Sequence, residues 1–345
     1  METKHPSRKT VRKSGVRIVA IGGGTGLSTL LRGLKHYVAR RRQDLPKFPI
    51  ADLAAVVTVT DDGGSSGRLR RDYAVLPPGD IRNCLVALSK DEALLGRLFQ
   101  YRFKSGRGLR GHSFGNLFLT ALSHVTGDFA EAVRLSAQVL AIRGRIFPST
   151  IENVSLKAVM MDGSVVCGET RIAKSKKIVR RLELVPRRAL PLPEVLDAIA
   201  NADLIVLGPG SLYSSVIPNL LVEGVSDAIA KSGAARIYIA NLMTQPGETQ
   251  GMSLAGHLRS IFQHARHKIV DWVIVNRQPV SEAVARRYHL SGAEPLLAEA
   301  GELQRMGLRC VFDDLLAEHG FVRHDSERLT RLLIEEFVRR TPLRN

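Results

Sequence analysis

A short strand-like run, Val16-Arg17-Ile18-Val19-Ala20-Ile21, stops on Gly22-Gly23-Gly24-Thr25-Gly26-Leu27-Ser28, and a helical periodicity follows over residues 26–42. Strand, glycine turn and helix in that order open a βαβ unit. The next apolar run, residues 53–60, has the β-branched richness of a buried parallel strand and stops at Asp61-Asp62-Gly63-Gly64. A chain that begins this way is committed to a parallel sheet whose turns are lined with glycine, which allows backbone to pass close to a ligand.

The rest of the chain keeps that rhythm with one interruption. Helical patterns start near Asp80, Leu94 and Phe114, with residues 106–111 as a loop between the last two. Residues 154–161 and 164–172 read as strands around Asp162-Gly163, a two-residue hairpin signal, and residues 178–185 as a further strand. Strand candidates then recur at 204–207, 236–240, 272–275 and 308–312, and an amphipathic helix closes the chain over 326–339. The expected fold is α/β: a Rossmann-like, mostly parallel sheet with helices on both faces and an inserted antiparallel β-hairpin subdomain. The expected organisation is a flexible basic tail over 1–15 and a single nucleotide-binding domain over 16–345, with the β insertion at about 150–190.

With 44% hydrophobic residues in 345, the chain can fill a continuous core. Cys84, Cys167 and Cys310 are odd in number and widely spaced, which points to free thiols rather than a disulfide framework or zinc site. The N-terminus carries Lys4, Arg8, Lys9, Arg12 and Lys13 without a following apolar stretch, and no run approaches the roughly 20 residues of a membrane span. A cytoplasmic protein is expected. The formal charge of +17 is concentrated in that tail, in Arg40-Arg41-Arg42 and in the stretch from Arg171 to Arg188. With 5% aromatics and no stacking platform among these cations, nucleic acid is not the expected partner.

Six segments that follow strands or open helices carry the candidate chemistry. The first, with Gly23, Gly24, Thr25, Gly26 and Ser28, presents helix N–H groups to a phosphate, yet it is neither a Walker A loop nor a clean G-x-G-x-x-G. Asp61 and Asp62, followed by Gly63 and by Ser65 in a Gly/Ser loop, suit either ribose hydroxyls or Mg²⁺ with bridged phosphates, and on an extended strand end one of the pair faces the crevice. Asp80 stands where a helix N-cap belongs, with Arg82 and Asn83 in the first turn. His112, Ser113 and Asn116 open another helix, His112 being either an acid–base group or a structural imidazole. Gly208, Gly210, Ser211 and Tyr213 repeat the glycine-turn logic in the second half of the sheet, and Asn241, Thr244 and Gln245 offer amides and a hydroxyl suited to a base or sugar. Joint binding of one phosphate-bearing ligand is expected, with Asp61, Asp62 and His112 as the catalytic candidates if a reaction occurs.

The segments GGGTGLSTLLRGLK, TVTDDGGSSGRLR, LPPGDIRNCLVALS, GHSFGNLFLTAL, GPGSLYSSVIPNLLV and NLMTQPGET resemble the YvcK family of bacterial gluconeogenesis factors, over residues 16–312. That family is related to CofD, the 2-phospho-L-lactate transferase of coenzyme F420 biosynthesis. The resemblance implies a cytoplasmic regulator that binds UDP-sugars such as UDP-N-acetylglucosamine and is needed for normal cell shape during growth on gluconeogenic carbon. A protein partner would receive its signal, and homo-oligomerisation stays open. The alternative is a Mg²⁺-dependent enzyme of the CofD type using a guanylyl-activated phospholactate donor. The transferase's aspartate pair corresponds to Asp61-Asp62 here, with Asp62 as the metal candidate. The Ser65-Ser66-Gly67-Arg68 continuation and the second-half loops look like the gluconeogenesis factor instead.

Overall fold

The computed structural model describes residues 15–45, 47–90, 94–318 and 320–341; the basic tail, Gly15 excepted, lies outside the described residues. Among those residues the strands are β1 (Val16–Gly22), β2 (Ile50–Val57), β3 (Arg145–Pro148), β4 (Ser155–Met160), β5 (Val165–Cys167), β6 (Val179–Val185), β7 (Leu204–Leu207), β8 (Ala235–Ile239), β9 (Trp272–Asn276), β10 (Arg309–Asp313), β11 (Leu316–Glu318) and β12 (Val322–His324). A 7-stranded sheet runs β10-β9-β8-β7-β1-β2-β3, with every ladder parallel. Successive residues of β1, β2 and β7 are buried alike, so both faces of the sheet are covered, as parallel strands linked by crossover helices require. The α/β, Rossmann-like reading of the sequence holds.

The two halves of the sheet join where β1 lies beside β7, with Ile18 opposite Leu204 and Ile21 opposite Leu207. At the amino end of this joint Asp203, 6% exposed, accepts the backbone N–H of Arg17 at 2.9 Å and its guanidinium at 3.2 and 3.1 Å. At the carboxyl end Gly208 N donates to Ile21 O at 2.9 Å, and the buried Asn219 amide donates to Gly22 O at 3.1 Å. Strand order reverses here, the place where such sheets open a ligand crevice.

A 3-stranded antiparallel sheet, β5-β4-β6, interrupts the parallel one between β3 and β7. It is anchored by His264 on the helix Leu254–Ala265: Nδ1 donates to Ser260 O at 2.7 Å and Nε2 accepts Leu182 N at 2.8 Å. Burial lowers the imidazole's proton affinity, so the ring stays neutral and both bonds coexist.

Several local expectations shift. The strand expected at 53–60 is Ile50–Val57: Thr58 N makes the last bond to β1, to Gly22 O at 3.1 Å, and the residues after it lie beyond the end of that strand. The strand expected over 164–172 ends at Cys167: Gly168 adopts φ +95° and the helix Glu169–Lys174 begins. The long first helix stops at Leu34, with one tighter turn over Lys35–Tyr37. The Gly/Ser loop after Asp62 is the helix Gly64–Tyr73. Among the features that escaped the pattern are the helix Phe129–Val139, edge strand β3 and the β11–β12 hairpin, the last two too short to show periodicity.

Asp203→Ala should lower unfolding free energy by about 2 kcal/mol, since it strands a backbone donor and a half-buried guanidinium at the joint. Urea denaturation with unchanged m-value measures this.

Candidate functional site

At the carboxyl ends of β1, β7 and β8 lies a cleft of about 620 Å³. Its floor is the turn Gly23–Gly26 and the turn Pro209–Ser211, which touch backbone to backbone. A Cβ on Gly26 would stand 2.3 Å from Pro209 O, and one on Gly210 would stand 3.4 Å from Gly23 O and 3.2 Å from Ser215 Cβ. Glycine at 26 is therefore a condition of the two turns meeting. Gly24, at φ +61°, starts the helix Gly24–Leu34, which has no side-chain cap and no acid in its first turn. Such a terminus presents unpaired N–H groups and a partial positive charge.

The Gly208 turn differs. Its helical turn Leu212–Val216 already has an internal acceptor: Glu248 accepts Tyr213 N at 3.2 Å and Ser214 Oγ at 2.9 Å. Burial pushes that carboxyl's pKa up, and the bonds from residues 213 and 214 oppose the rise. Gly210 and Ser211 reach the cleft, whereas Gly208 lies behind it. Tyr213 is a buried post that donates to Val179 O at 3.3 Å and ties β6 to the turn. Ser28 likewise turns inward, donating to Thr25 O at 2.9 Å.

The third wall is the segment after β8. Asn241, Thr244 and Gln245 all line the cleft. Thr244 is spoken for, its N–H and hydroxyl pairing with Glu294 at 2.7 and 2.9 Å. Gln245 Nε2 donates to Ser211 Oγ at 2.8 Å, while its Oε1 is buried without a partner. The fourth wall was not anticipated: Tyr288, Phe321, Arg323 and His324 face the glycine turns. His324 donates to the Ala240 carbonyl, its Nε2 is buried and unpaired, and burial drives its pKa down to about 4. Its signal in the sequence was a hairpin of two three-residue strands, below what alternation can reveal.

Behind the glycine floor sits a cluster of acids. Asp80 is not an N-cap. It is the second residue of the helix Gly79–Leu88, capped by Pro78, and its carboxylate accepts Gly24 N–H and sits where a Gly23 Cβ would be, 2.5 Å away. Asp61 Oδ1 accepts Gly63 N at 2.8 Å, and Oδ2 lies 3.1 Å from the place of a Gly79 Cβ. Asp62 turns the other way and caps the helix Glu169–Lys174, accepting Thr170 N at 2.9 Å and Oγ1 at 2.6 Å. Glu169 receives Thr60 Oγ1 at 3.5 Å. Desolvation, then Asp61, raise Asp80 to about 6; desolvation, then Asp61, Asp80, Glu248 and Asp62, raise Glu169 to about 9. At neutral pH Glu169 therefore holds a proton. No three His, Cys, Asp or Glu side chains among the described residues are placed to hold a metal ion together.

The remaining candidates meet on the far side of the Gly79 helix. Arg82 donates to Ser113 Oγ at 2.5 Å, to Asn116 Oδ1 at 2.9 Å and to Asn83 Oδ1 at 2.7 Å. Asn116 Nδ2 donates to Ser65 Oγ at 3.1 Å, and Ser65 meets His112 Nδ1 at 2.9 Å. Thus three of the six segments line the cleft and three assemble behind it, with Asp80 as the link.

Sheet order, switch-point cleft and glycine floor define a Rossmann-like α/β protein with an open crevice at the switch point. The profile of the CofD family, described as 2-phospho-L-lactate transferase CofD, matches residues 18–316, and the chain belongs to that family. It is 44% identical over 320 residues to the gluconeogenesis factor of Bacillus subtilis, spanning 92% of this chain and 97% of the other. The gluconeogenesis factor of Halalkalibacterium halodurans is 45% identical over 319 residues, spanning 92% and 95%. A crystal structure of a UPF0052 family member from Bacillus halodurans superposes with a TM-score of 0.87 at 44% identity, covering 93% of this chain and 99% of that one.

Because Glu169 binds a proton more tightly folded than unfolded, stability should fall as pH rises from its unfolded value toward 9, by at most about 1.4 kcal/mol per pH unit. Glu169→Gln should flatten that slope, read as melting temperature against pH from 5 to 9.

Proposed function

We propose that this chain is a cytoplasmic nucleotide-sugar sensor, binding a UDP-sugar of the UDP-N-acetylglucosamine type in the cleft and passing the signal to a protein partner. The observation that carries this reading is the N-terminus of the Gly24 helix, where Asp80 takes the Gly24 N–H from behind and the next N–H groups open into a cleft of nucleotide size. One phosphate sits on the N–H groups of Thr25 and Gly26, the other beside Gly210 and Ser211. Phe321 and Tyr288 offer ring faces to the base, and Gln245 Oε1 is an acceptor awaiting a donor. The gluconeogenesis factors among its relatives support a role in carbon metabolism, and the family resemblance extends this to cell shape during gluconeogenic growth. No helix among the described residues is long and apolar enough to cross a membrane.

Thr25 is exposed on the first turn and free of the backbone strain of its glycine neighbours, so Thr25→Glu places an anion where phosphate belongs without disturbing the fold. Calorimetric titration with UDP-N-acetylglucosamine should show affinity reduced at least about tenfold, with melting temperature retained or raised. Unchanged affinity would sink the phosphate assignment.

A second reading, a Mg²⁺-dependent phosphoryl-group transferase, is favoured by the acid cluster against Gly23 and Gly24. As arranged, these acids do not form a ready cation site, and no step is derived through a metal. Turnover of a guanylyl-activated phospholactate that requires Mg²⁺ and is lost in Asp61→Asn and Asp62→Asn would establish it.

A further inference from the structure

The network behind the Gly79 helix has a determinate proton order. Arg82 can only donate, so Asn116 Oδ1 is its acceptor and Asn116 Nδ2 must donate to Ser65 Oγ. Among the described residues His112 Nδ1 is the one remaining partner for the buried Ser65 hydroxyl proton, and donation there leaves the His112 proton on Nε2. Burial, then Arg68, lower the ring's proton affinity, so this is a neutral imidazole with one outward donor. Among the described residues Nε2–H has no acceptor, and it is not among the buried unpaired atoms.

Two guanidinium groups are pinned beside that donor by the backbone just before it. Arg68 Nη2 donates to Arg110 O at 2.8 Å, and Arg102 Nη1 donates to Gly111 O at 2.5 Å. Gly111, at φ +83°, makes room: a Cβ there would stand 2.9 Å from Arg68 Nη2. The loop is held in place by Gly111 N to Phe103 O at 2.8 Å and Phe103 N to His112 O at 2.9 Å. Among the described residues neither Arg68 nor Arg102 has an ion-pair partner; Asp72 is the one acid whose charge favours protonation of His112, and Asp80 and Asp61 partly offset Arg82. Arg82 is 9% exposed and its Nε is unpaired. Cations are gathered here, Arg68 and Arg102 each tied to a backbone carbonyl, with the nearby acids offsetting them only in part and no direct ion pair to either among the described residues.

The geometry points to an oxyanion site formed by His112 Nε2–H, Arg68 and Arg102, which takes the dianionic phosphoryl group of a small phosphomonoester. Two guanidinium groups, each tied by one N–H to a backbone carbonyl with further N–H groups to spare, and one neutral N–H donor suit a tetrahedral dianion, and the buried chain from Arg82 to Ser65 keeps the imidazole in the donating tautomer. Ser65, Ser113, Asn116 and Arg82 are positioning residues. The site is distinct from the cleft and does not rest on the nucleotide-sugar reading. Asp80 and Arg82, two residues apart, project about 200° apart around one helical turn, the first toward the glycine floor and the second toward this network.

The test uses the full chain labelled at histidine Cε1, with the His112 resonance assigned by its absence in His112→Gln, titrated with inorganic phosphate at pH 8, where phosphate is dianionic. A saturable shift of the His112 resonance is expected, with an apparent Kd at least tenfold weaker in Arg102→Ala and in Arg68→Ala, both of which should keep the wild-type melting temperature. Acetate at equal concentration should leave the resonance in place. A His112 signal unmoved by phosphate, or a shift retained in both arginine variants, overturns the site; an equal shift with acetate overturns the phosphoryl assignment. Phosphate entering the cleft would register at His324 instead. Titrating UDP-N-acetylglucosamine into the same variants should give wild-type affinity, so the two readings can fail separately.

Discussion

The approach of two glycine turns across the β1–β7 joint is the constraint on which the rest of the molecule depends. Backbone at Gly26 and Pro209 is so close that a single methyl on residue 26 would collide with a carbonyl oxygen. Strand register sets this distance, because Ile21 lies opposite Leu207 and the turns leave the sheet at the same level. The buried Asn219 amide then bridges Gly22 O and Ser215 O, fastening one turn to the helix that follows the other. Where the floor is bare backbone, at Gly26, no larger side chain fits, so tuning for any ligand would fall to Thr25, Ser211 and the remaining walls.

Charge is arranged around that floor in layers. The uncapped helix terminus faces the cleft, Asp80 sits directly behind it on Gly24 N–H, and further acids back Asp80. A carboxylate bound at one N–H of a helix terminus competes with any anion outside for the same field. Asp80's raised pKa shows that its own charge is held at a cost. Beyond Asp80 the sign reverses to Arg82, Arg102 and Arg68. Asp80 and Arg82, on opposite faces of one short helix, feel each other's charge, yet among the described residues they form no direct ion pair.

Much of this was legible in the residues. The buried runs Val16–Gly22 and Leu204–Leu207 declare parallel strands because nothing alternates in them, and the glycine clusters that follow declare where the backbone must come close. The segments at Asn241 and Gln245 fell on the cleft because they continue a strand. What could not be read was partnership at long range. Glu248 serving a terminus 35 residues earlier, or Asp62 capping a helix 108 residues later, leaves no local trace. Asp80 looked like a cap because its neighbours fit a helix start, yet the helix begins two residues sooner than that cap would place it and the carboxylate is claimed by Gly24. The fourth wall, with Arg323 and His324, hides in strands too short for any periodicity.

The β1–β7 joint brings residues 18–21 against residues 204–207, so the floor of the cleft is assembled from positions nearly two hundred apart in the chain. Contacts of that separation close late, after the entropy of the intervening loop has been surrendered. The crevice is therefore among the last things the folding chain acquires, and no fragment that ends before β7 can possess it. A ligand held across both turns would act as a clasp between the first and second halves of the polypeptide. Occupancy would then report that synthesis and folding are complete, and would hold the halves together against the local opening that exposes a sheet to proteolysis.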